Sequence, residues 1–414
     1  MFKIIAAILF CLYFFYEVFQ NILALKSRER GIPEELGDVY DQPTYERWKA
    51  YHLEKTRLAL IGDVILFAVD MVLLFSGVYP FLVKDIASPY LAAFLVFGIN
   101  IAADTLLSIP TDYVDTFVIE QKYGFNRTKA GTFIADQIKS LVLVAIIGFG
   151  LLSLYILMYE AIGDFILLLF AAVLLAITFF LMFLAPLFMR IFNKFTPLEE
   201  GELREKLIAL LEKHDFKVRD IKVMDASRRT TKANAYFTGF GKTKTIVLFD
   251  TILSTMENDE IVAVFAHELG HGLHRDTMKN SLFAVFEIAV IVTLAWLLSR
   301  FPAIYADFGF SSVNYGFAAL LLMFVAAPFT LGFFEPLLAY RSRRAEFRAD
   351  AHAVEEGYGD ALVSGLKKLY RVDLGDLNPH PWLVALTFSH PTLLQRVRHI
   401  EECKKKTRAQ RISP

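Results

Sequence analysis

Long apolar runs alternate with polar, basic-rich stretches along this chain, and the alternation sets its expected architecture. Seven runs rich in Leu, Ile, Phe, Val and Ala occupy about 4–25, 58–83, 90–110, 139–159, 164–189, 281–299 and 315–334. Each matches the roughly 20 helical residues needed to cross a hydrocarbon core of about 30 Å. The pattern predicts a mainly α-helical, polytopic membrane protein. The first run is longer than a signal-peptide core, and no small-residue cleavage site follows it, so it reads as a retained helix. The third run contains Asn100 and Asp104 and the seventh contains Pro328, features that a helix inside a bundle tolerates. Asp63 and Asp70 lie seven residues apart, and Asn100 and Asp104 four apart, so each pair shares a helix face. Such faces either line an aqueous interior or bond helix to helix.

Basic residues orient the bundle. Lys26, Arg28, Arg30, Arg47, Lys49, Lys55 and Arg57 crowd the first loop, against Lys84 alone in the second. Lys122, Arg127 and Lys129 mark the third loop, and the fourth has none. An excess of Lys and Arg marks cytosolic loops. The amino terminus is therefore expected outside or in a lumen, and the polar segments at 190–280 and 339–414 on the cytosolic side. The expected division is helices one to five with their loops (1–189), the first part of a cytosolic domain (190–280), helices six and seven (281–338), and the second part of that domain (339–414).

Inside the first polar segment, a Pro-marked break at Phe195 to Glu200 precedes an amphipathic helix. Ile221 to Asp225, Ala235 to Gly241 and Thr245 to Asp250 have strand character, with Gly239, Gly241 and Lys242 as turn material. A small sheet is expected. Ser254 and Glu257 have capping-box spacing, and the helix they open is expected to run through His274.

Composition narrows the function. With 55% hydrophobic and 21% charged residues, the chain is too apolar for a purely soluble enzyme. Lys and Arg total 43 against 44 for Asp and Glu, so the net charge of −1 offers no general attraction for nucleic acid. Cys11 and Cys403 stand at opposite ends, which rules out a disulfide scaffold and a cysteine-based metal centre.

The candidate chemistry is Ala266-His267-Glu268-Leu269-Gly270-His271, the His-Glu-x-x-His pattern. Residues four apart sit on one helix face, so His267 and His271 can offer imidazoles to one ion. Glu268 projects to the side, where it can hold water and take its proton as the water attacks a carbonyl. Catalytic zinc usually takes three protein ligands. His274 lies about 10.5 Å along the helix from His267, too far to share one ion, and is read as a rim residue. The metzincin third His is excluded, because Thr277 occupies that position. A second candidate helix, Ser342 to His352, places Glu346 and Asp350 on one face. Glu346 could complete the metal site with Asp350 supporting a ligand imidazole, or both could form solvated ion pairs with the neighbouring arginines.

These blocks resemble the type I CAAX prenyl proteases, integral-membrane zinc metalloproteases of gluzincin type. The likeness covers Thr116-Phe117-Val118-Ile119-Glu120, Gly124-Phe125-Asn126, Asn234-Ala235-Tyr236-Phe237, Asp250-Thr251, the His267 to His271 core, Ser342 to Asp350, and Ser389-His390-Pro391-Thr392 with Arg396. It implies about seven transmembrane helices around a chamber and an α+β protease domain with a small sheet. It further implies one Zn2+ per chain, held by His267, His271 and Glu346, with Glu268 as base and acid and Asp350 behind a ligand histidine. By the same resemblance Asn234 and Ala235 lie on an edge strand that pairs with substrate, His390 stabilises the oxyanion, and Arg396 braces the site through Glu346.

The implied partners are the lipid bilayer and a peptide or protein substrate, prenylated in the family's named reaction. A quality-control protease without prenyl dependence is the alternative task. A transporter or channel with a structural metal is the rival class, disfavoured because no cysteine is available as a closing ligand and a structural site has no use for Glu268. The carboxy-terminal residues show no KDEL-type signal, which leaves cytoplasmic membrane and endoplasmic reticulum both open, and the short chain leans towards a prokaryotic homologue in a bacterial cytoplasmic membrane.

Overall fold

The computed structural model describes residues 1–412 apart from Arg219, residues 239–244 and Arg275. The apolar runs all fall on helices. The first five form α1 (Phe2–Ser27), α2 (Gln42–Phe75) with the short α3 (Val78–Val83), α4 (Pro89–Tyr113), α5 (Ala130–Ile162) and α6 (Ile166–Phe192). A polar unit follows: β1 (Phe195–Pro197), α7 (Glu202–Lys213), β2 (Asp220–Met224), β3 (Ala235–Thr238), β4 (Thr245–Phe249), α8 (Asp250–Thr255) and α9 (Asn258–Leu273). Then come α10 (Asp276–Arg300), α11 (Pro302–Phe308) and α12 (Tyr315–Phe329), and finally α13 (Glu335–Glu355), α14 (Gly359–Asp373), α15 (Pro381–Thr387) and α16 (Leu393–Ile412).

Among the described residues, five stretches are long and apolar enough to cross a membrane: Phe2–Ser27, Gln42–Phe75, Pro89–Glu120, Ala130–Phe180 and Phe283–Arg300. The fourth spans all of α5 and the first part of α6, and α12 contributes a shorter apolar helix, Tyr315–Ala327. Neighbours touch in the order α1, α2, α4, α5, α6, α10, α12 and back to α1.

Among the described residues, these helices pack most closely at one end. Phe10, Leu74, Tyr79, Val96, Tyr305 and Phe317 belong to one buried apolar core there. Here α12 crosses α4 so tightly that a Cβ on Gly316 would lie 2.0 Å from the carbonyl oxygen of Ala93. Towards the other end little is buried: nothing between Thr56 and Asp70 in α2, nothing after Asn100 in α4, and nothing before Leu152 in α5. The intramembrane polar residues bond helix to helix, the second of the two expected roles. Asn100 donates to Asp70 across helices at 3.4 Å, and Asn21 donates to Asp63 at 3.1 Å. Asp63 and Asp104 also line a cleft of about 340 Å³ between α2 and α4.

A second core fills the polar unit, and it draws on the N-terminal loops as well. Leu36, Tyr40, Trp48 and Phe125 join Leu207, Ile246, Phe265, Leu269, Leu366 and Leu393 in it. Its sheet has the order β1-β2-β4-β3, with β2 and β4 parallel and both edges antiparallel. The first and third expected strands are present within a residue, the second is described over Ala235–Thr238, and its expected end and the proposed turn at Gly239, Gly241 and Lys242 lie outside the described residues. The break at Phe195 to Pro197 is itself the edge strand β1. Pro197 is compatible with it, because an edge strand can leave one side unpaired.

The long helix expected from Ser254 to His274 is two helices. Met256 is extended, at φ −115° and ψ 151°, and separates α8 from α9. The capping box is Glu257 with Glu260, whose carboxylate accepts from the Glu257 N–H at 2.9 Å, and not Ser254 with Glu257. Ser254 instead donates to Thr251 within α8. Helix α9 then packs along α13, where Gly270 permits the approach: a Cβ there would meet the Ala349 backbone at 3.0 Å.

Candidate metal centre

The crossing of α9 and α13 brings the expected ligands together. His267, His271 and Glu346 each present a ligand atom, and these atoms all lie within 4.8 Å of one another. Glu346 Oε1 is 3.1 Å from His271 Nε2, and Oε2 is 3.3 Å from His267 Nε2. Glu346 is 3% exposed, so the solvated ion-pair alternative fails. The neighbouring arginines point elsewhere: Arg343 donates to the carbonyls of Val384 and Phe388, Arg344 to Tyr340, and Arg348 to Asp276.

Each imidazole is held from behind. Asp350, fully buried, has Oδ1 2.9 Å from His267 Nδ1. Asp276, at the start of α10, has Oδ2 3.2 Å from His271 Nδ1 and is itself gripped by Arg348 at 2.7 Å. The sequence reading missed Asp276, which looks like an ordinary acidic residue in the first turn of a helix. Its only signal was its position five residues past His271, where one bend of the chain returns it to the ring.

Arg396 reaches Glu346, the contact expected of it, and grips Asp350 as well. Its guanidinium makes a two-pronged contact with Asp350, at 2.5 Å to Oδ1 and 3.0 Å to Oδ2. Glu346 is farther, at 3.6 Å. A planar fork matches one carboxylate in two places, so the fully buried Asp350 captures it. Thr392 and Gln395 cap the start of α16 reciprocally, at 3.0 and 3.2 Å, and so fix both Arg396 and the loop bearing His390. His390 is exposed, with Nδ1 2.9 Å from Glu346 Oε2.

The donor set suits a cation. Glu346 Oε2 is sealed from solvent and faces the ring nitrogens of His267 and His390, at 3.3 and 2.9 Å. Burial raises the Glu346 carboxyl, but His267, His271 and His390 outweigh it and hold the group far below the usual carboxylate range. Burial and Arg396 push the His267 imidazole down, and Asp350 and Glu346 overcome both, carrying it up to about 9. Carboxylates that draw a proton this strongly onto an imidazole will also draw a divalent ion.

Glu268 stands beside the ligands on a cleft of about 550 Å³ that Asn234, Ala235, His390 and Arg396 also line. Burial raises its carboxyl above the ordinary value, opposed by His267 and His271. Ala235 opens the edge strand β3, with Asn234 just before it. His274 caps α9 at an exposed position, away from the ligand triad. All nine expected site residues thus converge on one cleft or its immediate support.

The family comparisons agree with this arrangement. A model described as CAAX prenyl protease N-terminal, five membrane helices, matches residues 21–194, and one for Peptidase family M48 matches residues 197–404. CAAX prenyl protease 1 of Saccharomyces cerevisiae is 31% identical, covering 91% of this chain and 90% of its own. The CAAX prenyl protease 1 homolog of Homo sapiens is 31% identical, covering 90% of this chain and 89% of its own. The crystal structure of S. mikatae Ste24p superposes with a TM-score of 0.90 at 28% identity, covering 97% of this chain and 99% of that one. With the membrane helices, the protease unit and the His-Glu-x-x-His helix all accounted for, the chain belongs to peptidase family M48, alongside the CAAX prenyl proteases, and is a membrane metalloprotease.

Proposed function

We propose that the protein is a zinc endopeptidase whose ion is held by His267, His271 and Glu346, and that it trims the carboxy-terminal residues of prenylated proteins. The convergence of those three donors within 4.8 Å, with Glu268 facing the cleft beside them, carries the reading. Zinc, when bound, supplies Lewis acidity towards a carbonyl and towards water. Glu268 accepts the proton of the attacking water at its carboxylate and passes it to the leaving amine. His390 offers a ring N–H to the developing oxyanion. Asn234 and Ala235 pair with the extended substrate along the edge of β3, and Asp350 and Arg396 keep His267 oriented.

Seven membrane crossings around a hollow interior fit the packing. The helices form a closed circuit yet bury at most 22% of the residues in any candidate span, too few for a solid bundle. The basic loops around the protease unit support a cytosolic side for it. The prenyl substrate rests on the names of the relatives. A bacterial cytoplasmic membrane rests on chain length alone, and the relatives compared above, being eukaryotic, lend it no support.

The test is cleavage of matched CAAX peptides, with and without a farnesyl group, by detergent-solubilised protein, with Glu268→Ala as blank. Zinc-dependent cleavage that needs the farnesyl group is expected. Equal cleavage of both peptides would favour the quality-control task, and full activity in Glu268→Ala would overturn the mechanism.

A further inference from the structure

A second group among the described residues has the donor chemistry of a metal site. His214, His352 and Glu356 each offer a ligand atom, and these atoms too lie within 4.8 Å of one another. His214 Nε2 is 3.0 Å from Glu356 Oε1. The rings of His214 and His352 meet edge to face with centroids 4.9 Å apart, the separation also found between His267 and His271.

Three features point to a ligand rather than to packing alone. His352 is 8% exposed, and its Nε2 is sealed from solvent with no hydrogen-bond partner among the described residues. An imidazole nitrogen in that state is destabilising unless something occupies it. The three donors also come from two separate helix ends, His214 closing α7 and His352 with Glu356 closing α13, and still converge on one point. The surroundings also carry negative potential. His214 caps the carboxy-terminal end of α7, and Glu356 caps that of α13. Helix carboxy termini present the negative end of the dipole, which favours a cation.

Lys213 occupies the other Glu356 oxygen at 2.6 Å, but it is 59% exposed and leaves Oε1 on the side of the imidazoles. Two imidazoles and one carboxylate are a donor set for zinc and its transition-metal neighbours, not for calcium or magnesium.

We propose that His214, His352 and Glu356 form a second divalent transition-metal site, of zinc-binding type, that ties α7 to the end of α13. His352 lies six residues past Glu346 on α13, about 9 Å along the axis, so this ion is distinct from the one at the catalytic cleft. It would anchor the far end of the same helix that presents Glu346 and Asp350. The proposal does not depend on the catalytic reading.

The test is zinc stoichiometry. Full-length protein in detergent is stripped with chelator, re-equilibrated with Zn2+ at neutral pH, and analysed by elemental mass spectrometry. Wild type is expected to hold two equivalents, His214→Gln one, and His271→Ala one. The combined His214→Gln and His271→Ala variant is expected to hold none. His214 is only partly buried, so its replacement preserves the core; His352→Gln gives a parallel arm. Added zinc should also raise the melting temperature of His271→Ala, but not that of the double variant. The proposal is overturned if His214→Gln binds as much zinc as wild type. Failure of the catalytic site would show separately, as His271→Ala losing nothing.

Discussion

Replacing Arg396 with alanine isolates the pair that stands behind the metal ligands. Asp350 is 0% exposed and Arg396 8% exposed, and their two contacts lie at 2.5 and 3.0 Å. Deleting one partner of a buried pair leaves the other charged and unsolvated, at a cost of about 3–5 kcal/mol. Asp350 keeps His267 Nδ1 at 2.9 Å, so the lower end applies, about 3 kcal/mol. At roughly 2–4 °C per kcal/mol for a domain of this size, the protease unit should melt about 6–12 °C lower in detergent. The imidazole of His267 then loses its fixed backing, and zinc affinity in chelator competition should fall on the order of 10-fold. The informative control is Arg396→Met combined with Asp350→Asn, which removes both charges while keeping the volume. It should recover more than half of the lost stability, because no stranded charge remains. If Arg396→Ala melts with wild type, or if the double variant is no better than the single one, the stranded-charge argument is wrong.

Asp276→Asn keeps the shape behind His271 but weakens its anchor, so zinc affinity should drop about 10–100-fold while excess zinc restores cleavage; unchanged affinity in chelator competition would remove Asp276 from the site. Gly316→Ala forces a methyl group to 2.0 Å from the Ala93 carbonyl, which cannot swing aside, and should destabilise the bundle by at least ~1–3 kcal/mol in a thermal melt. Burial raises the Asp373 carboxyl from 3.8 to about 6, despite Lys232 nearby. The folded state therefore holds a proton that the unfolded chain has released, and the associated stability is full below pH ~4 and lost as pH rises through ~6. Asp373→Asn should accordingly raise the melting temperature at pH 7.5, by up to ~3 kcal/mol of stability, with a gain that shrinks towards pH 4; an equal shift at both pH values would contradict the assignment.

The helices and the metal ligands were legible because each rests on a strong local signal. Apolar runs of membrane length have few alternative readings, and His267 and His271 are one helical turn apart. Glu346 required more, since spacing alone left it open between zinc and a surface ion pair; its burial argues against the surface ion pair and supports the proposed ligand set. What the sequence hid depends on approach between distant segments. Gly270 matters because Ala349 lies against it, and Gly316 because Ala93 does. Arg396 reaches Glu346 as expected, at 3.6 Å, but its two-pronged contact with the deeper Asp350 had no signal in the spacing. The edge strand at Phe195 was hidden by its brevity and by Pro197, and the helix break at Met256 by an acidic run that continues past it.

The order of the ligands along the chain has a consequence for synthesis. His267 and His271 emerge before α10 and α12, whereas Glu346, Asp350 and Arg396 emerge after them. On the proposed ligand set, a ribosome-bound chain therefore carries two imidazoles, with Asp276 behind one of them, but no Glu346 until the last membrane segments have been delivered. Peptide hydrolysis cannot begin on the nascent chain, and any truncation before α13 is silent rather than partially active. Maturation of the protease is in this way gated by completion of its own membrane insertion.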